Sequence, residues 1–410
     1  MKNHRFRRIL SLILVAALLA GFYVPGAQAA STGLSWKETD REIKPDMSDR
    51  IAETQVEEKY RPSDIVRVSI ILEDKPTIQA GYSTRNIVGN AEAMAYSSQL
   101  KSKQDALAAA ISAQALGGKK LDVVWNLTLA ANLISARVPY GSMDAIAKVA
   151  GVKTVVLENT YLPCVIEREE TVAEPQMFAS LGMTGSSLVW SSGFTGAGSR
   201  IAVLDTGSDT NHQSLDSGAY LYALEQNAKA AGVSFEEYVS SLDLLDAQEI
   251  ATVLPYLNFK KLFPAVTADQ LYLSEKLPFA ANYIDKNLVV DHESDGQGEH
   301  GSHVAGIATA NRFIPKDGGY VDALNTVMMA GIAPDAQLIT MKVFGRNGGP
   351  TDSDYMAAIE DAIYLGCDSV NLSLGSSVSD FAFNDEYAAF LEYMTQTDTV
   401  VVASAGNSYS

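Results

Sequence analysis

From residue 200 onward, short and nearly continuous apolar runs alternate with helical stretches, and this alternation limits the fold more than any other feature. Arg200-Ile201-Ala202-Val203-Leu204 is one such run; residues 337–343, 369–374 and 399–403 supply three more. Strands apolar on both faces, separated by helices, belong to a parallel sheet covered on both sides. Between them, residues 351–364 read as a helix. Thr351 and Asp354 have capping-box spacing, and Tyr355, Ala358, Ile359, Ala362 and Ile363 share one face. Residues 383–394 read as a second helix. The class is α/β, and in such sheets ligands bind beyond the carboxyl ends of the strands.

A different pattern precedes it. Val66, Val68, Ile70 and Leu72 alternate with other residues, as in a half-buried strand. Residues 91–116 form a long helical stretch stopped by Gly117-Gly118. Residues 123–138 offer two strands with a break near 130–132, residues 142–149 a short helix, and residues 152–157 a last strand. The order β-α-β-β-α-β is the ferredoxin-like arrangement, so residues 65–158 are expected to form a small α+β domain. Residues 30–63 read as a linker, 159–180 as an irregular junction, and 181–410 as the larger domain. Within that domain, residues 219–277 are helical and read as an insertion.

Lys2, Arg5, Arg7 and Arg8 precede an apolar run over residues 9–22, followed by Ala27-Gln28-Ala29. Basic, apolar, then small-x-small is a secretory signal over residues 1–29, so the protein is expected to be secreted. The run is shorter than the ~20 residues of a spanning helix, and the mature chain is expected to have no transmembrane segment. A net charge of −18 argues against nucleic acid as a partner. Cys164 and Cys367, the only cysteines, lie far apart and suggest no disulfide framework.

Asp205 ends the first apolar strand. It is placed either for function or to cap the next helix. Of five histidines, His300 and His303 fall in Glu299-His300-Gly301-Ser302-His303-Val304-Ala305-Gly306. The small residues there would let the backbone pack tightly while one imidazole points outward as a general base. His300 takes that role; His303 is assigned to packing or a backbone hydrogen bond, and His212 and His292 to the surface. Asn407 follows the strand at 399–403 and could donate to an oxyanion or form an Asx turn. Asn371-Leu372-Ser373-Leu374-Gly375 ends a buried strand with an exposed edge, and Gly348-Gly349-Pro350 is a loop that could accept an extended peptide.

Together these segments resemble the subtilisin-like serine proteases (subtilases). Val203-Leu204-Asp205-Thr206-Gly207 is similar to the family's aspartate motif, and His300 to Gly306 to its histidine motif. Asn371 to Gly375 is similar to the substrate-cleft segment, and Ala405-Gly406-Asn407 to the oxyanion motif. All four stand in the family's order. The resemblance implies a subtilisin-like parallel sheet, here incomplete, and a serine endopeptidase acting on polypeptides. His300 would be the general base, Asp205 its orienting acid and Asn407 the oxyanion donor. Ser373, Leu374 and Gly375 would line one edge of the substrate cleft, and Gly348 and Gly349 the other. Residues 65–158 resemble the family's pro-segment, an intramolecular inhibitor. The stretch from Lys276 to Lys286 is similar to Gram-positive cell-envelope proteinases, which implies a secreted or wall-associated enzyme.

The resemblance requires no cofactor; calcium is common in the family, but no complete set of oxygen ligands can be named. His300 and His303 are too closely spaced for the i, i+4 pair of a helical zinc motif, and no metal ligand is assigned. The family's nucleophilic serine sits in a Gly-Thr-Ser motif downstream of the oxyanion asparagine, and no Gly-Thr-Ser occurs here. The expectation is therefore a truncated protease, inactive as it stands. The alternative is a non-catalytic peptide-binding or protease-inhibitor protein on the same framework.

Overall fold

The alternating residues Val66, Val68, Ile70 and Leu72 are all buried along β1 (Ile65–Leu72). The computed structural model describes residues 60–164, 177–291, 293, 295–346, 348–375 and 385–407. The expected signal segment, nearly all of the linker and His292 lie outside them. After β1 come α1 (Ala91–Gln114), β2 (Asp122–Leu127), β3 (Leu133–Pro139), α2 (Met143–Ala147) and β4 (Val152–Leu157). Helix α1 starts where the Asn90 side chain accepts from the Glu92 and Ala93 N–H groups, at 3.2 Å each. The sheet order is β2-β3-β1-β4, with β1 antiparallel to both neighbours. This is the predicted ferredoxin-like arrangement. Val68, Ile70, Ile111, Ile134, Val138 and Ile146 close a core that belongs to this region alone.

A two-residue strand β5 (Leu162–Pro163) follows, then β6 (Arg200–Asp205). The stretch expected as an insertion forms α3 (Ser217–Ala231), α4 (Phe235–Ser240), α5 (Ala247–Val253), α6 (Asn258–Leu262) and α7 (Ala268–Leu271). Next come β7 (Phe279–Asn282), α8 (His300–Thr309), the hairpin β8 (Phe313–Lys316) and β9 (Gly319–Asp322), and β10 (Gln337–Lys342). The chain continues through α9 (Asp352–Tyr364), β11 (Ser369–Leu372), β12 (Leu374–Gly375), α10 (Asp385–Met394) and β13 (Val400–Ala403). Among the described residues, β13-β11-β6-β10-β7 form a five-stranded sheet whose neighbours are all parallel. Strand β6 lies at its centre, so its carboxyl end opens onto the crevice where parallel sheets bind ligands.

Helix α9 has the expected capping box, and its apolar face is buried, as is every other residue in it. Its polar residues are covered on one side by the 65–158 sheet and on the other by the 219–277 stretch. Trp125 Nε1 donates to Asp354 at 2.7 Å, and the Leu129 and Ala130 N–H groups donate to Glu360 at 2.9 and 2.8 Å. Buried carboxylates persist only with such partners. No helix among the described residues is long and apolar enough to cross a membrane.

Candidate active site

Asp205 is the last residue of β6 and is 1% exposed. Its carboxylate is fixed by its own turn, Oδ1 accepting from the Thr206 N–H at 2.7 Å. The same oxygen lies 2.7 Å from His300 Nδ1, the first residue of α8. Two further contacts hold the helix start against the strand end. The Gly301 N–H donates to Thr206 Oγ1 at 2.9 Å, and that hydroxyl donates to the Gly298 carbonyl at 3.1 Å. A Cβ at Gly301 would collide with the Gly207 carbonyl, so only glycine lets the helix approach this closely. The small residues around His300 thus act as the sequence suggested.

The imidazole pKa is raised, first by the hydrogen bond to Asp205 and then by that carboxylate's charge and a hydrogen bond to the Cys164 carbonyl; burial opposes them. With Nδ1 engaged by an acid, the other ring nitrogen is left to exchange a proton with a reactant. His303, expected in packing or a backbone bond, is instead exposed on the outer side of α8. His212 is exposed, as expected.

The remaining predicted residues converge on a segment the sequence reading left as an irregular junction. Tyr161 to Cys164 lies extended between two edges. On one side β5 pairs antiparallel with β12, matching Leu374 to Pro163 and Gly375 to Leu162, and the Cys164 N–H donates to the Ser373 carbonyl at 3.0 Å. On the other, the Tyr161 N–H donates to the Pro350 carbonyl at 3.0 Å. A Cβ at Gly349 would strike the Tyr161 carbonyl. Gly348 closes the adjoining turn through mutual bonds with Gly345, at 2.9 and 3.0 Å. Asn407 Nδ2 donates to the Cys164 carbonyl at 2.9 Å, which disfavours a purely local Asx turn. That carbonyl therefore sits between Asn407 and His300.

Sequence reasoning also missed Lys342. It ends β10 beside Asp205, fully buried, with Nζ on the Thr206 carbonyl and 3.0 Å from Asp295. A lysine closing an otherwise uncharged strand was the available signal, but its partner in the loop before His300 was not. Among the described residues no group of histidines, cysteines or carboxylates could hold a metal ion.

Residues 196–410, more than half of the chain, match the Subtilase family. The chain belongs to the subtilase family. It is 28% identical over 282 residues to the PII-type proteinase of Lacticaseibacillus paracasei, covering 68% of this chain and 12% of that protein. It is 26% identical over 281 residues to the minor extracellular protease Vpr of Bacillus subtilis (strain 168), covering 67% of this chain and 26% of that one. The subtilase chain thus spans a minor part of the length of these relatives. Fervidolysin from Fervidobacterium pennivorans, a keratinolytic enzyme related to subtilisin, aligns with a TM-score of 0.45 and 16% identity over 85% of this chain and 40% of its own. A central parallel sheet, helices packed against it and the family match make this a subtilisin-like α/β fold.

Proposed function

We propose that this subtilase is the precursor of a secreted serine endopeptidase that hydrolyses polypeptides with an Asp-His-Ser triad. His300 is the general base, Asp205 orients it and stabilises the imidazolium, and Asn407 donates to the oxyanion. The nucleophile is a serine hydroxyl, for which residues 1–410 offer no Gly-Thr-Ser motif. Residues 65–158 act as the pro-segment, with Tyr161 to Cys164 as the inhibitory tail. Ser373, Leu374 and Gly375 pair with one side of a substrate and Gly348 and Gly349 flank the other. The reading requires no cofactor.

The observation that carries this reading is the Cys164 carbonyl, which accepts from Asn407 at 2.9 Å on the side of the cleft occupied by His300. A scissile carbonyl requires that position: a donor for the charge it develops and a base within reach of the attacking group. The peptide bond after Cys164 is accordingly the self-processing site. In the full-length secreted protein, Asn407→Ala is expected to lower kcat by about 10²–10³, the usual cost of one oxyanion donor, with little change in KM. His300→Ala should abolish both self-processing after Cys164 and labelling by a serine-directed fluorophosphonate. Equal processing in His300→Ala and wild type would overturn the assignment.

A further inference from the structure

Lys342 is a charged side chain sealed inside the molecule behind the Asp205–His300 pair, and it is 0% exposed. In the parallel register of β10 and β6 it stands opposite Asp205, so both side chains leave the sheet on the same face. Its ammonium donates to the Thr206 carbonyl and lies 3.0 Å from Asp295, in the loop before His300. That loop is tied to the same place by backbone contacts. The Gln297 N–H donates to the other Asp295 oxygen at 3.0 Å, and the Gln297 side chain donates to the Gly345 carbonyl, just beyond β10, at 2.8 Å. The Ser208 N–H donates to the Val290 carbonyl at 2.9 Å.

We propose that Lys342 is a positioning residue for the Asp205–His300 pair, its ammonium clamping the turn after the acid to the loop before the base. The proposal rests on the proteolytic reading and adds to it what holds the pair together. Asp205 and His300 come from different elements, 95 positions apart, yet must keep a 2.7 Å contact. Thr206, which Lys342 grips, bonds the Asp205 carboxylate through its N–H and the start of α8 through its hydroxyl. A shift of Thr206 therefore moves both partners. Burying an ammonium is costly, and an apolar replacement of a buried ion pair often serves stability as well. What an apolar side chain cannot do is draw the Thr206 carbonyl and Asp295 to one point. Lys342 touches no reacting atom.

An NMR titration of His300 in the 410-residue chain reads the contact without requiring turnover. The charges facing the imidazole are Asp205 and, behind its turn, the Lys342–Asp295 pair; Cys164 offers its carbonyl, and Glu293, Glu299 and His303 are exposed. Loss of a nearby cation with the geometry unchanged would raise the imidazole pKa, whereas a loosened bond to Asp205 lowers it towards the ordinary 6.5. Lys342→Met combined with Asp295→Asn removes one charge of each sign, so its shift reports geometry, and a fall is expected. In the full-length protease the same double variant should lose about 10- to 100-fold in kcat with little change in KM, the scale of a small misplacement of catalytic groups. An unchanged or raised His300 pKa in the folded double variant overturns the proposal and leaves proteolysis standing. No turnover by the full-length wild type overturns the proteolytic reading, and with it any catalytic purpose for the clamp. Lys342 of the folded wild type should also resist acetylation by acetic anhydride. Ready acetylation, read by peptide mass, overturns the clamp without any variant, so a poorly folding variant does not shield the idea.

Discussion

Two neighbouring carboxylates on α9 perform the same task for two different regions of the molecule. Glu360 accepts from the Leu129 and Ala130 N–H groups between β2 and β3. Asp361 accepts from the N–H groups of Asn258 and Phe259 in the 219–277 stretch, at 2.6 and 2.9 Å, and from the Tyr283 hydroxyl at 2.9 Å. The docking chemistry matches, but the cores differ. The 65–158 region encloses its own cluster around Ile70, Ile111 and Ile134, while eight of its buried residues, from Ile78 and Ile87 to Trp125, Leu127 and Leu129, line the face that meets the shared core. Leu245, Ile250, Leu257, Phe259 and Leu271 belong to that shared core itself. A region with a private core can come away as a folded body, and water can replace polar contacts such as Arg67 to Asp354 and Ser353 to Glu158. The insertion has no such independence. This is the distinction expected between a removable pro-segment and a permanent part of a protease domain.

The largest test sets a core residue of one region against a core residue of the other. Phe259 is fully buried, with its ring 5.3 Å from that of Tyr283. Phe259→Ala should cost about 3–5 kcal/mol and Ile111→Ala about 2–5 kcal/mol. Hydrogen exchange on the intact chain separates them. Phe259→Ala should lower protection in β6 and β10, whereas Ile111→Ala should lower it in β1 and β3 and leave β6 and β10 unchanged. Equal losses everywhere after Ile111→Ala would show that the first region has no independence.

The carboxylate pair gives a smaller, pH-dependent contrast. Burial pushes Asp361 up to about 7 from an ordinary 3.8, against the pull of its hydrogen bonds. The folded chain then holds this proton more tightly than the unfolded chain. Its contribution to stability must therefore fall as pH rises from about 4 to about 7, and level off above that. Asp361→Asn removes that slope, on the order of 4 kcal/mol across the window. Urea midpoints at pH 4.5 and 8 should accordingly drop less in the variant than in the wild type, and parallel drops would refute the assignment. Burial raises Glu360 as well, so Glu360→Gln should act in the same direction. Its exchange changes should be largest at Leu129 and Ala130, because its contact with the 219–277 stretch is the Asn258 side chain at 3.3 Å and not a backbone amide.

These contrasts also show which parts of the molecule could be read from its residues. Asp205 and His300 were legible because each motif is local: a strand end, a tight turn, a helix start with room made by Gly301. The ferredoxin-like order was legible because alternation and glycine stops are local too. Tyr161 to Cys164 was not. A two-residue strand carries no periodicity, and its partners Ser373, Leu374 and Gly375 lie some two hundred positions away. The partners of the polar residues on α9 were not legible either, because nothing nearby in sequence announces the elements that cover them. Lys342 had a visible anomaly but an invisible partner in Asp295.

Thr351 offers the finest cut between the two regions. It is the N-cap residue of α9, and its N–H donates to Asp354 Oδ2 at 2.9 Å. Its hydroxyl lies within reach of both Asp354, at 2.9 Å, and Glu158, at 2.5 Å, so it serves the helix and the 65–158 region at once. Thr351→Ala should cost about 1 kcal/mol, an ordinary cap loss, while Thr351→Ser should stay within about 0.5 kcal/mol of wild type. Where the alanine loss falls is the informative part. If the hydroxyl mainly secures the 65–158 region, exchange should quicken at the Glu158 and Tyr161 amides, which bond Arg67 and Pro350. If it mainly caps the helix, exchange should quicken at Asp354 and Tyr355, whose amides bond the Thr351 carbonyl. The first outcome is expected, because Asp354 keeps its bond from the Thr351 N–H in either variant, whereas Glu158 loses a donor at the boundary between the two regions.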